Sequence, residues 1–338
     1  MLKGAIIGVG NIALRGHLPA YLHDEELSHE ISIVAAVDLS PVNLGKSKEL
    51  LPSIRTYSSV SSLFESEKLD FVDICSPPNS HREIIEAALN HNCHIICEKP
   101  LATSVAEGKK IFQKITGREV VFLPCHQYRY SGVWKSVKEI LDRRELGDIH
   151  IVQFNVFRLQ ADSGNPEWQP DWRVDPETSG GGILVDTGSH YLYLLSHLFG
   201  KPKRLTARTA NLRHYDYPVE DTALIIAEYD KLVAEINLTW AADRRENRNA
   251  IIGSAGSLWT HGDRIFLSRN GEQKELRIED ASDKGAYVQW YAALFKEFVK
   301  RVKGKDYGPD LLDEALNVLS WTEACYESAA EGMTIHVQ

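Results

Sequence analysis

Leu2-Lys3-Gly4-Ala5-Ile6-Ile7-Gly8-Val9-Gly10-Asn11-Ile12-Ala13 opens the chain, and a second apolar run, Ile31 to Val37, ends on Asp38. The order reads as strand, tight glycine turn, helix, strand, acid. A dinucleotide site requires this order, because a pyrophosphate must come close to backbone N–H groups at a helix N-terminus, where the helix dipole favours negative charge. Gly8 permits the turn, Gly10 removes the side chain that would block the pyrophosphate, Asn11 and Ile12 carry the loop into the helix, and Ala13 keeps that helix close to the strand. Glycines also end strands for purely structural reasons; the strand before them and the acid after them favour cofactor binding here.

A carboxylate at the end of the second strand accepts both ribose hydroxyls of NAD and repels the 2′-phosphate of NADP, so Asp38 makes NAD the expected cofactor and NADP the less favoured one. The competing role for Asp38 is to cap the helix that Pro41 begins, a role Ser40 is also placed to fill. The distance from the glycines to Asp38 exceeds the usual ~20 residues; a polar extension around His23 to Glu30 accounts for the excess.

A chain of 338 residues with 43% hydrophobic content is long enough for two cores. Its net charge of −9, with no Lys/Arg-rich run, argues against nucleic acid or an anionic membrane as partner and for a small substrate. No segment approaches the ~20 apolar residues that span a bilayer, and no basic region precedes a long apolar stretch at the start. The expected compartment is the cytoplasm. Cys75, Cys93, Cys97 and Cys125 sit in or beside strand-like runs, where free cysteine behaves as a small buried hydrophobe, and all five cysteines read as reduced. Cys93 and Cys97 lack the spacing and companions of a zinc site, and no metal is expected.

Through about Leu123 short apolar strands alternate with amphipathic helices: Asp70 to Cys75, His94 to Cys97 and Val120 to Leu123 as strands, Arg82 to Asn90 and Val105 to Ile115 as helices. The pattern predicts a doubly wound parallel sheet over residues 1–124. Residues 125–338 differ. A helix near Val133 to Arg143 and a strand from His150 to Arg158 lead into a Pro-, Gly- and Trp-containing loop; then Arg204 to Thr209, Thr222 to Tyr229, Leu232 to Trp240 and Asn249 to Gly253 follow one another with short turns. This predicts an antiparallel or mixed sheet, closed by helices at Tyr291 to Val302 and Leu311 to Ala330.

Three further stretches carry candidate chemistry. Cys75-Ser76-Pro77-Pro78-Asn79-Ser80-His81 follows a strand end, where an α/β sheet forms its ligand crevice; prolines there would hold the backbone flat against a cofactor. Ser76, Pro77, Asn79 and His81 are its candidates, although for Asn79 and His81 an ordinary capped turn explains the residues equally well. Glu98-Lys99-Pro100 follows the next strand, where Pro100 restricts the backbone and aims Lys99 into the same crevice, suited to donate a hydrogen bond to a reacting oxygen or to shuttle a proton. Gly180-Gly181-Gly182 opens an apolar helix that carries Asp186 and His190 four residues apart, on one face. A neutral His190 can take a hydroxyl proton while Asp186 orients the ring or binds a neighbouring hydroxyl; a buried structural pair is the bland alternative, and a metal pair lacks a third ligand. The long loop from Arg158 to Gly182 adds Trp168 and Trp172, whose indoles suit sugar-ring faces, and Arg173, suited to cofactor or substrate anions. Arg158, Trp168, Trp172, His214, Tyr287 and Trp290 are the side chains expected to set substrate specificity.

These residues resemble the glucose–fructose oxidoreductase, inositol dehydrogenase and rhizopine catabolism family. The resemblance covers nearly the whole chain and rests on Gly8 to Ala13, Ser76-Pro77-Pro78-Asn79 with His81, Glu98-Lys99-Pro100, Trp172-Arg173, the triple glycine, and Asp186 with His190. Gly253-Ser254-Ala255-Gly256-Ser257 looks like the family's later sheet turn. The resemblance implies an N-terminal Rossmann domain, a C-terminal α+β domain whose large open sheet forms homodimer or homotetramer contacts, and a helix at about 310–330 that packs back on the first domain. It also implies that Lys99, Asp186 and His190 surround the reacting carbon. Family reactions are mostly oxidation of a secondary alcohol on a sugar or cyclitol, or the reverse. Two other outcomes occur in the family: glycoside hydrolases that hold NAD, and a non-catalytic regulatory module. The intact Lys99, Asp186 and His190 set argues against the second.

Overall fold

A computed structural model describes residues 1–337 apart from 165, 167 and 279–286. Its first sheet consists of β1 (Leu2–Ile7), β2 (Ile31–Val37), β3 (Arg55–Tyr57), β4 (Phe71–Ile74), β5 (His94–Cys97) and β6 (Phe122–Pro124), all parallel, in the order β3-β2-β1-β4-β5-β6. The chain winds outward from β1 in one direction and from β4 in the other, which leaves a crevice above the carboxyl ends of those two strands.

The connecting helices are α1 (Leu18–His23), α2 (Glu25–Glu30), α3 (Pro41–Leu50), α4 (Val60–Ser66), α5 (His81–Asn90) and α6 (Val105–Ile115). A π-helical turn, Ala13–His17, leads into α1. Ser40, Ser59 and Ser104 cap α3, α4 and α6 by accepting a backbone N–H three residues on. The expected polar extension before β2 is α2, whose first turn is capped by Asp24 accepting from the Leu27 amide at 3.0 Å. It reads as a loop in the sequence because one buried leucine is its whole apolar face.

The remaining helices are α7 (Gly132–Asp142), α8 (Pro176–Ser179), α9 (Ser189–Phe199), α10 (Tyr287–Gly304) and α11 (Asp310–Glu331). The second sheet contains β7 (Ile149–Phe157), β8 (Arg204–Ala210), β9 (Thr222–Glu228), β10 (Val233–Thr239), β11 (Glu246–Gly253), β12 (Gly256–His261), β13 (Arg264–Arg269), β14 (Glu272–Arg277) and β15 (Ile335–His336), in the order β14-β13-β12-β11-β7-β10-β9-β8-β15. Every pairing is antiparallel except β7 with β10. The fold is therefore a doubly wound parallel sheet joined to a mainly antiparallel α+β unit, as the sequence predicts. Five strands were not legible in it, of which Arg55–Tyr57 and Ile335–His336 are too short to carry a pattern. Gly256–His261 and Arg264–Arg269 expose half their side chains, and Glu272–Arg277 is a charged edge strand with almost nothing buried, a composition that resists further pairing and reads as loop.

Strict alternation along β7 and β10 sends Val152, Phe154, Val156, Ala234, Ile236 and Leu238 into the core under α7, α9 and α11. The opposite face carries Ile151, Leu224, Ile226, Val233 and Trp259, each more than 40% exposed. α11 bridges the two cores: Leu312, Ala315 and Leu319 pack on the parallel sheet, while Val318, Trp321, Ala324 and Cys325 join the second core. α10 packs on the other face of the parallel sheet, where Tyr291, Phe295 and Phe298 meet Ile6, Leu18 and Phe71. All five cysteines are free and buried. Among the described residues no helix is long and apolar enough to cross a membrane.

Candidate active site

Two adjoining cavities occupy the crevice. The outer cleft, about 410 Å³, is lined by Gly8, Gly10, Asn11, Ile12, Asp38, Ser76, Pro77 and Asn79, and closed over by Trp168, Trp172 and Arg173. The inner cavity, about 160 Å³, is lined by Glu98, Lys99, Arg158, Asp186, His190 and Tyr287, and shares Ile12, Ser76, Trp172 and Arg173 with the first.

The glycine turn is set by close backbone contact. Gly8 has φ +88°, and a Cβ there would lie 2.5 Å from the Ser76 nitrogen, so β1 and β4 can end side by side only with glycine at this point. At Gly10 an added Cβ would meet nothing within 4 Å; it would project into open space beside the cleft. Asp38 is held across the mouth of this turn: Oδ2 accepts the Val9 amide at 2.6 Å and Oδ1 the Ser40 amide at 2.7 Å. Ser40 rather than Asp38 caps α3, through the Asn43 amide. The Asp38 carboxylate still has acceptor capacity toward the cleft. A bare glycine turn, a fixed carboxylate at the next strand end and a cleft of ligand size fit a dinucleotide.

His81 is not in either cavity wall. It is fully buried, and its ring bridges the carbonyls of Ser76, at 2.9 Å, and Leu101, at 3.2 Å, so it braces the two strand-end loops from behind. Trp168, expected at the substrate, lies along the outer cleft instead. His214 binds the carbonyls of Leu159 and Trp240 and lines neither cavity.

The Lys99 ammonium donates to the Asp186 carbonyl at 2.7 Å and lies 3.7 Å from its carboxylate; Arg173 reaches the same carboxylate oxygen at 3.4 Å and stacks on Trp172. Burial alone would raise the Asp186 pKa, but Lys99 and Arg173 outweigh it and keep the group below the ordinary carboxylate range. The helix bearing Asp186 begins as a π-helical turn, Leu184–Gly188, whose start is capped by Glu220 accepting from the amides of Gly182 and Leu184. A Cβ on Gly182 would stand 2.1 Å from the Glu220 carbonyl oxygen, which explains that member of the triple glycine.

Asp186 and His190 both face the cavity, but Asp186 does not orient the imidazole. His190 Nδ1 is hydrogen-bonded to the Tyr193 hydroxyl at 2.9 Å, and its ring is stacked on Tyr128 with centroids 4.1 Å apart and planes at 5°. The π-helical turn and the two basic partners direct the Asp186 carboxylate elsewhere. Burial, reinforced by Lys99, His126 and Arg158, pushes the His190 pKa well below the ordinary imidazole value. Tyr128 follows the β6 strand end as Ser76 and Lys99 follow theirs, and that position was the available signal for it.

Beneath Lys99 lies a network of which the sequence singled out only Glu98. His17, completely buried, meets Asp73 through Nδ1 at 2.8 Å and Glu98 through Nε2 at 3.1 Å; Tyr21 donates to Asp73 and Tyr291 to Glu98. The second Glu98 oxygen accepts the Lys99 amide at 3.1 Å. His17, Asp73 and Cys125 bring potential metal-ligating atoms within 4.8 Å of one another, yet the His17 and Asp73 atoms are already engaged in these hydrogen bonds.

Two family models match the chain. The oxidoreductase family with an NAD-binding Rossmann fold spans residues 2–126, and the GFO/IDH/MocA C-terminal domain spans residues 134–259. The chain belongs to the GFO/IDH/MocA oxidoreductase family. D-apiose dehydrogenase of Rhizobium rhizogenes is 26% identical, with 99% of this chain and 97% of that protein aligned. Levoglucosan dehydrogenase in complex with NADH and levoglucosan superposes with TM-score 0.87 at 18% identity, over 99% of each chain. An oxidoreductase of Agrobacterium radiobacter in complex with NAD+, L-tartaric acid and magnesium superposes with TM-score 0.85 at 23% identity, over 99% of this chain and 98% of that one. These similarities in structure establish the shared two-sheet fold.

The His17 network has a consequence for stability. Burial lowers an imidazole pKa, but Asp73 and Glu98 together outweigh it and raise His17 to about 9 from 6.5. A raised folded-state pKa means the contribution is complete below about pH 6.5 and is lost as pH rises through about 9, a difference on the order of 3 kcal/mol. Unfolding midpoints in urea should therefore fall between pH 6.5 and 9.5 in the native protein. In His17→Gln the protein should be less stable at pH 6.5 and the slope flatter; parallel curves for the two proteins would show that His17 does not carry this titration.

Proposed function

We propose that the protein transfers a hydride between NAD and a secondary alcohol or ketone of a sugar, sugar derivative or cyclitol, with Lys99, Asp186 and His190 as the catalytic constellation. The supporting observation is the meeting of the dinucleotide cleft with a small cavity in which a lysine, a carboxylate and a neutral buried histidine converge. The relatives that are dehydrogenases of D-apiose and levoglucosan support the substrate class. In this reading the cofactor domain runs through residue 124 and the substrate domain from 125 to 338.

Gly8, Gly10, Asn11 and Ile12 would cradle the pyrophosphate, Asp38 would hold the adenosine ribose, and Ser76, Pro77, Asn79, Glu98, Trp172 and Arg173 would enclose the remainder. Bound NAD supplies a hydride acceptor. His190, with its proton on Nδ1 donated to the Tyr193 oxygen, takes the hydroxyl proton at Nε2. The Lys99 ammonium donates to the substrate oxygen as negative charge develops on it. Asp186 fixes Lys99 and Arg173 and accepts a neighbouring hydroxyl. Arg158 and Tyr287 bound the substrate from the far wall.

We further propose a homodimer or homotetramer built on the uncovered face of the second sheet, where five large apolar side chains are exposed. A cytoplasmic setting suits the five free buried cysteines.

Reduced-nicotinamide absorbance across sugars, cyclitols and sugar acids, with NAD and with NADP, tests the main reading. An NAD-dependent signal lost in Lys99→Ala supports it; sugar release without net NADH would instead indicate a hydrolase. His190→Ala should lower kcat/KM roughly 10²- to 10⁴-fold, and the native acid limb should lie below pH 6.5, because the imidazole stays neutral above that; near-normal turnover removes His190 as base. Asp38→Ser should raise the NADP:NAD ratio of kcat/KM, and an unchanged ratio would confine Asp38 to holding the glycine turn. Trp259→Glu should shift the sedimenting species toward monomer, whereas an unaltered mass would place the contact elsewhere.

A further inference from the structure

Arg158 stands at the end of β7, its amide bonded to the Thr239 carbonyl at 2.8 Å, and only 7% of the residue is exposed. Its Nη1 is consumed by the protein: it donates to the carbonyls of Phe157 at 2.7 Å and Glu246 at 3.2 Å and to Asn247 Oδ1 at 2.8 Å. Those three bonds lock the guanidinium plane. The Nε and Nη2 edge has no protein partner among the described residues, yet it is not sealed in the interior; it opens on the inner cavity.

A guanidinium this deeply buried normally faces a carboxylate, because desolvating an unpaired charge costs several kcal/mol. None of the cavity carboxylates is available. Glu98 is held by His17 and Tyr291, Asp186 lies between Lys99 and Arg173, and Asp162 lies 3.9 Å from Arg245. Lys99, Arg173 and Arg245 each have a cavity carboxylate within 4.0 Å, whereas Arg158 has none among the described residues. Its free edge has the two parallel N–H vectors that match a carboxylate.

We propose that Arg158 is a carboxylate-recognition residue and that the preferred substrate is a polyhydroxy acid, an aldonate or uronate, rather than a neutral sugar. The inference rests on the dehydrogenase reading for the reaction but not for the binding. One free guanidinium edge matches a monoanionic carboxylate, and each of the other cavity cations already has a carboxylate within 4.0 Å. Arg158 is near enough to His190 to help depress its pKa, so a carboxylate seated on Arg158 lies within electrostatic reach of the proton acceptor.

The test uses the NADH-loaded enzyme, titrated with D-gluconate, D-galactonate, D-glucuronate and D-galacturonate against D-glucose, D-galactose and D-glucose 6-phosphate, read by nicotinamide fluorescence. At least one acid should bind ~30-fold or more tighter than its neutral parent, and Arg158→Gln should abolish that advantage while NADH affinity is retained. Arg158→Lys should restore part of it, since the charge remains and the fork is lost. The proposal is overturned if no acid outbinds its neutral parent, if the phosphate ester is preferred, or if Arg158→Gln keeps the advantage. Acids that bind through Arg158 but are never oxidised would leave this site standing and remove the dehydrogenase reading; neutral sugars oxidised with no acid preference would do the reverse.

Discussion

The contact between the ends of β1 and β4 governs the rest of the molecule. Gly8 lies so close to the Ser76 backbone that no side chain fits between them, and from this point the two halves of the parallel sheet wind apart. The divergence opens the crevice, and the loops after β1, β2, β4 and β5 all empty into it. Asp38 is tied to the same turn through the Val9 amide, so the position of this cleft carboxylate depends on the glycine backbone.

A second constraint lies underneath. His17 holds two carboxylates that would otherwise repel each other in a buried place, and one of them, Glu98, grips the Lys99 amide. The network also takes in Tyr291 of α10, a helix far away in sequence that covers the parallel sheet. The lysine is thus aimed by groups from the first strand–helix unit, from β4 and from near the C-terminus. A buried charge cluster of this kind costs desolvation energy, and its use here is positional.

Charge is unevenly distributed around the inner cavity. Lys99 and Arg173 share the Asp186 carboxylate on the cofactor side, which leaves Asp186 ionised and Lys99 oriented. His190 is kept neutral by burial and by surrounding cations, and its ring plane is fixed by Tyr128 and Tyr193. Arg158, on the far wall, is the cation left without a counter-charge. α11 keeps these walls in register by packing into both cores.

The amino-acid sequence alone determined the parallel sheet and the strand ends that line its crevice. Its strands are short apolar runs, its glycines and prolines stand at strand ends, and such local signals survive in one dimension; Gly8, Gly10, Asp38, Ser76, Lys99, Asp186 and His190 were legible for that reason. Long-range contact decided the remainder. Nothing near His81 in the chain shows that its ring braces two loops, nothing near His17 shows that it meets Glu98, and four-residue helical spacing does not show that Tyr193 rather than Asp186 engages His190. The charged strand Glu272–Arg277 was illegible because an edge strand needs no apolar face. Hydrogen-bond partners and the balance of buried charge arise between segments remote in sequence, so tertiary structure settled which side chains brace the site, which line the cavity, and which cation has no carboxylate partner among the described residues.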